Sequence, residues 1–239
     1  MNAGCTEKIK IQRFEQDVFK DFEDIVLSEK SFTLFLNGNP ITKLTCTNKD
    51  IKELTAGCLL CEHHVRSLEE LRSVSIDNES GNVYAETAKT IDCTNDYADK
   101  EYLNINYAAV VASLREFQEM SPLFKETASA HSAALLDLVR TQVPLRKYHF
   151  HYFSEDMGRY NAVEKAIGKA FLNNFYLSQA MLVVSSRMPL ELIQKIYRTG
   201  ITAVASISAP TLESIRFAKE NKITLAGMFR ENRINIYAH

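Results

Sequence analysis

The second half of the chain alternates between two periodicities, and this narrows the available folds more than any other feature. "KYHFHYF", "AMLVVSS", "ITAVASIS" and "KITLAGMF" are short apolar and β-branched runs that read as strands. Between them, "RYNAVEKAIGKAFLNNF", "PLELIQKIYRTG" and "PTLESIRFAKEN" place apolar residues at helical spacing; the second starts on proline and ends on glycine. Strand–helix–strand repetition with short links implies an α/β fold: a mostly parallel sheet with helices on both faces. "RINIYAH" adds a final strand.

The first half has an α+β character. "SFTLFLNGNPITKLTC" predicts a hairpin, Phe32–Leu36 paired with Ile41–Cys46 across Asn-Gly-Asn-Pro. In the next segment Leu54, Cys58, Cys61, Val65 and Leu68 recur at three- and four-residue steps, a helical stripe. Strands are expected near Arg72–Ile76 and Asn82–Ile91, a polar loop to about Asn106, then a helix over "YAAVVASLREFQEM" that stops before Pro122. The expected division is an N-terminal α+β domain, 1–105, and a C-terminal α/β domain, 106–239. A chain of 239 residues, 46% hydrophobic, can bury cores for both.

Charge removes one class of partner. With 28 basic and 30 acidic residues the formal net charge is -2, so nucleic-acid binding has no global support and any anion site must be a local cluster. The N-terminus lacks the apolar stretch of a secretory signal, and no apolar run is long enough to span a bilayer. A cytoplasmic location is the expectation. Five cysteines, an odd number, argue against a disulfide framework there.

"AGCLLCEHH", Ala56 to His64, offers a CxxC followed by two histidines. Zinc needs four ligands, no second CxxC follows, and on a helix neither His63 nor His64 faces the same way as both cysteines. A redox pair needs its first cysteine exposed at a helix N-terminus, whereas this pair lies mid-helix on the stripe of Leu54 and Val65. Cys58 and Cys61 therefore read as small apolar core residues. His131, His149 and His151 could in number hold zinc, but no spacing joins His131 to the other two and no HxE motif accompanies them; no metal site is expected.

In such sheets ligands bind beyond the carboxyl ends of the strands. Three strand ends here carry suitable groups: Ser185, Ser186 and Arg187; Ser206, Ser208 and Thr211; Arg230 and Arg233. Serine hydroxyls and free N–H groups at helix starts bind anions, and arginine can hold phosphate oxygens bidentately. Each residue alone could be a cap or a solvated cation. Together, at equivalent corners, they suit a phosphate- or nucleotide-bearing ligand. "SEDMGRYNAVEKAIG" is the other dense stretch, with Arg159, Asn161 and Lys165 on or near one helix face. Cys93, in "IDCTND", differs from the other cysteines in lying in a polar loop, where a thiol is accessible for sulfur chemistry.

Several of these stretches resemble the formate dehydrogenase accessory proteins of the FdhD sulfurtransferase family. "SEDMGRYNAVEKAIG" is similar to the family's "REDIGRHNALDKVIG", and "SSRMPLELIQKI" to "SGRASFEMVQKA". "SAPTLESIRFAKENKITLAGMFRENRINIYAH" is similar to the family's C-terminal block, and the likeness runs from about Asp24 to His239. The resemblance implies a sulfur relay. A cysteine desulfurase passes a persulfide to a loop cysteine, here Cys93. The protein binds the molybdenum or tungsten bis(molybdopterin guanine dinucleotide) cofactor and sulfurates it for the catalytic subunit of formate dehydrogenase. It also implies a homodimer, and a cytidine-deaminase-like three-layer α/β/α sheet in the second half. Met228, Phe229, Arg230, Glu231, Asn232 and Arg233 correspond to the family's cofactor-contacting segment, and Ser186, Arg187 and Ser208 suit the pyrophosphates. Thr127, His131, Asp156, Arg159, Asn161 and Lys165 fall in its other shared motifs. The chain departs from the family in two places. The family's functional loop CxxC retains only Cys93, and paired glycines before His131 are replaced by Ala128 and Ser129. A single thiolate can still carry sulfane sulfur by exchange, without a resolving partner. The alternative is a cofactor carrier that has lost sulfur transfer.

Overall fold

The structure is a computed structural model and describes residues 4–88, 101–138 and 146–239. The second half builds a six-stranded sheet. Its strands are β7 (His131–Asp137), β8 (Phe150–Asp156), β9 (Ala180–Val184), β10 (Ala203–Ser206), β11 (Thr224–Arg230) and β12 (Arg233–Ala238), in the order β12-β11-β10-β9-β7-β8. The expectation of a mostly parallel sheet needs correction. β9, β10 and β11 are parallel, but β7 runs antiparallel to β8 and β9, and β12 antiparallel to β11. The parallel core arises from the predicted strand–helix–strand units, with α5 (Leu190–Arg198) and α6 (Leu212–Glu220) as crossovers. β7 was not anticipated, because "HSAALLD" is built of alanine and leucine, good helix formers; its near-complete burial between two strands overrides that preference.

Helices cover both faces, as the alternation requires. α4 (Arg159–Leu172), α5 and α6 bury one face, with Ala166, Ile167, Leu192 and Ile196 against Leu135, Leu182 and Val204. On the other face α2 (Tyr107–Gln118) sets Val110, Leu114 and Phe117 against Leu136, Met181 and Ala205. α2 starts where predicted, with the Asn106 side chain accepting from the Ala109 N–H. α3 (Pro122–Thr127) follows, capped by Ser121 with proline at its start.

In the first half, β3 (Lys30–Leu36) and β4 (Asn39–Cys46) form the predicted hairpin, and β5 (Leu71–Asp77) pairs with β6 (Asn82–Thr87). β3 and β6 pair in parallel, giving a sheet of order β4-β3-β6-β5. α1 (Ile51–Cys61) ends earlier than its apolar stripe suggests. His63 adopts a left-handed φ of 59°, and the His64 and His63 N–H groups donate to the carbonyls of Leu59 and Leu60. Val65 reaches the core from beyond this stop. One continuous apolar cluster joins Phe32, Leu34 and Leu59 of the first half to Val163, Leu182 and Leu225 of the second.

A long hairpin at the N-terminus, β1 (Thr6–Glu15) and β2 (Val18–Leu27), was also missed. Its turn is Gln16-Asp17, both at positive φ, in place of the asparagine–glycine pair that normally announces such a turn.

Candidate functional site

The antiparallel strand β7 starts at the edge where β9 ends, and this brings distant sequence segments together. The Ser132 N–H donates to Ser185 Oγ at 2.9 Å, and the Ser185 N–H donates to the Ser132 carbonyl at 3.0 Å. His131 lies half-buried beside them. Burial holds its imidazole below the usual histidine range, and the nearby Arg159 and Arg187 guanidinium groups push the same way. Asp156 pushes the other way, with the smallest effect of the four. The Arg159 and Arg187 side chains form no hydrogen bond or ion pair among the described residues, while Arg187 is exposed. Beside this edge lies a cleft of about 440 Å³, lined by Phe117, Phe124, Ala130, His131, Ser185 and Ile207.

The three strand-end corners singled out in the sequence are linked. Ser206 Oγ donates to the Ser186 carbonyl at 2.7 Å, and the Ser208 N–H donates back to Ser206 Oγ at 2.8 Å. The Met228 N–H then donates to the Ser208 carbonyl at 2.7 Å. Past Met228 the chain bulges and turns. Phe229 is buried, while Arg230, Glu231, Asn232 and Arg233 are exposed and line a depression of about 360 Å³. Gly227 permits the approach, since a Cβ there would lie 2.9 Å from the Ser208 carbonyl. Thr127 is spent locally: its hydroxyl donates to the Leu123 carbonyl and accepts from the Ser129 N–H.

Asp156, Asn161 and Lys165 occupy a different position. Asp156 and Lys165 are wholly buried and form an ion pair at 2.6 Å. Thr47 donates its N–H and its hydroxyl to Asp156 Oδ2, and Lys165 donates to the Thr47 carbonyl and hydroxyl. Asn161 donates to Asp156 Oδ1 and to the Thr45 carbonyl. These residues clamp the end of β4 to α4 and so hold Arg159, the first residue of α4, at the edge. Neither Asp156 nor Lys165 exposes surface to a ligand. Thr45 and Thr47 were missed because more than a hundred residues separate them from their partners.

Cys93 lies outside the described residues. Cys5, Cys46, Cys58 and Cys61 are all buried, and burial raises every one of their thiol pKa values, that of Cys46 to about 12. "AGCLLCEHH" is thus packing: Cys58 and Cys61 belong to the apolar cluster. Among the described residues no group of three His, Cys, Asp or Glu side chains is disposed to hold a metal. Iodoacetamide applied to the native protein is expected to leave these four thiols unlabelled for minutes, and to label them all after denaturation. Peptide mass spectrometry reads the difference, and rapid native labelling of Cys58 or Cys61 would contradict their burial.

The comparisons agree with this architecture. The model of the FdhD/NarQ family matches residues 27–101 and 91–239. The chain belongs to the FdhD/NarQ family. It is 30% identical over 231 residues to Protein FdhD of Methanocaldococcus jannaschii, covering 97% of this chain and 96% of that protein. It is 29% identical over 266 residues to the sulfur carrier protein FdhD of Bacillus subtilis, covering 100% and 98%. A crystal structure from Desulfotalea psychrophila, described as that of a formate dehydrogenase accessory protein, superposes with a TM-score of 0.82 at 21% identity, covering 98% of this chain and 97% of that one. That likeness supports the fold. No helix among the described residues is long and apolar enough to cross a membrane.

Proposed function

We propose that this FdhD/NarQ family member is a sulfur carrier for formate dehydrogenase, with Cys93 as its acceptor. The observation that carries the reading is the edge itself, where Ser186, Ser208 and the Met228–Arg233 turn are joined by hydrogen bonds beside the Arg159–His131–Arg187 cluster. Such an array suits the pyrophosphates of a bis(molybdopterin guanine dinucleotide) cofactor, the cargo of this reading, holding molybdenum or tungsten. The burial of four of the five cysteines supports Cys93 as the acceptor. In the loading step the Cys93 thiolate attacks the outer sulfur of a persulfide on a cysteine desulfurase. The desulfurase sulfur–sulfur bond breaks, its thiolate leaves, and Cys93 becomes the persulfide. The second reading, a cofactor carrier without sulfur transfer, draws support from the absence of a second loop cysteine after Cys93.

The deciding experiment incubates the reduced protein with a cysteine desulfurase and cysteine, beside a Cys93→Ser control, and weighs the peptides. One added sulfur on the Cys93 peptide, absent from the control, is expected. No added sulfur on that peptide, with guanine nucleotide still bound, would sink sulfur transfer and leave the carrier.

A further inference from the structure

The β11–β12 hairpin contains two non-glycine residues in the left-handed region, Met228 at the β11 bulge with φ 55° and Glu231 in the turn with φ 48°. Such conformations persist only where the surroundings hold them. One side of the turn is held by the sheet edge, through the Met228 N–H on the Ser208 carbonyl and through Arg230, which donates to the Ile207 carbonyl at 3.2 Å. The other side is held from α2, on the opposite layer of the fold. Arg115 Nε donates to the Glu231 carbonyl at 3.3 Å, and Arg115 Nη2 donates to Asn232 Oδ1. One planar fork thus grips both the backbone and a side chain of the turn, a geometry lysine cannot reproduce. Arg115 also sits in the last turn of α2, where the helix dipole favours a cation.

We propose that Arg115 is a positioning residue. From α2 it holds Glu231 and Asn232 so that Arg230 and Arg233 stay presented to a guanine nucleotide, and it thereby sets the affinity of the edge for that ligand. The ligand half of this inference rests on the reading of the turn given above. The test combines amide hydrogen exchange over Phe229–Arg233 with titration of guanosine diphosphate, on the full chain carrying Arg115→Ala, Arg115→Lys, Asn232→Ala or both alanines.

Arg115→Ala is expected to speed exchange in the turn about tenfold while β9 and β10 keep their protection, and to weaken nucleotide binding about tenfold. Asn232→Ala has the same effect, and the double variant is little worse than either single one. Arg115→Lys keeps the charge without the fork and stays close to Arg115→Ala. Full recovery of binding in Arg115→Lys would overturn the proposal in favour of simple charge attraction. Unchanged exchange in Arg115→Ala would overturn it outright. Faster exchange in Arg115→Ala, with no nucleotide bound by the wild-type protein, would leave Arg115 holding the turn and sink the nucleotide reading.

Discussion

Lys165→Met lowers the unfolding free energy by about 3–5 kcal/mol, read as a shift of the urea midpoint at constant m. The Lys165 ammonium has no contact with water, and its three donors are all used, on Asp156 Oδ2 and on the carbonyl and hydroxyl of Thr47. Methionine fills much the same space but leaves the Asp156 carboxylate buried without its counter-charge. The Thr47, Gly158 and Asn161 donors still reach that carboxylate, which tempers the loss without replacing a full positive charge. Asp156→Asn strands the cation in the same way. Because both single changes break one unit, the double variant lies closer to wild type than their sum by about 1–3 kcal/mol. An Lys165→Met midpoint matching wild type would mean that water reaches the pair. The change should also loosen Thr45–Thr47 from α4, because Lys165 donates to both the carbonyl and the hydroxyl of Thr47.

The elements that could be read in the sequence were those with strong punctuation. α5 begins after proline and ends near glycine, the β3–β4 turn contains Asn37-Gly38, and β9 to β11 are bounded apolar runs. Elements set by tertiary context were not legible. β7 is a strand because two strands enclose it, and α1 ends at Cys61, ahead of a left-handed His63 that stands in place of the glycine that usually announces such a stop. The same holds for the site. Residues at strand ends could be placed on one edge from topology alone, so Ser186, Arg187, Ser208 and Arg230 were within reach. What holds that edge could not be placed so. Asp156 and Lys165 fall in a motif that looks like a ligand site, yet their partner Thr47 makes them a clamp. Arg115 carries no local signal at all; its partners Glu231 and Asn232 are 116 and 117 residues away.

Gly168→Ala is expected to cost about 3 kcal/mol or more and to lower Tm by roughly 10 °C, although alanine is the better helix former by about 1 kcal/mol. The sign is decided by the contact between α1 and α4. A Cβ on Gly168 would lie 1.9 Å from the Glu53 carbonyl oxygen and 2.7 Å from the Gly57 nitrogen. A Cβ on Gly57 would lie 1.8 Å from the Glu164 carbonyl oxygen. Both obstacles are backbone, so no side chain can rotate away and the two helices must separate. Separation opens the cluster where Leu54, Cys58 and Cys61 meet Val163, Ile167 and Phe171. It also shifts Lys165, which lies between the two contacts on α4, away from Thr47. Gly57→Ala should therefore match Gly168→Ala in size, and the pair should be less than additive, since one separation relieves both clashes. Gly38→Ala is the control: that residue has φ 82° with nothing within 4 Å, so alanine there meets only a backbone penalty of about 1–2 kcal/mol. A Gly168→Ala protein that melts at or above the wild-type temperature would show that the helices are not in backbone contact. In that case the clamp at Thr47 would have to be held by the ion pair and its hydrogen bonds, without support from close helix packing.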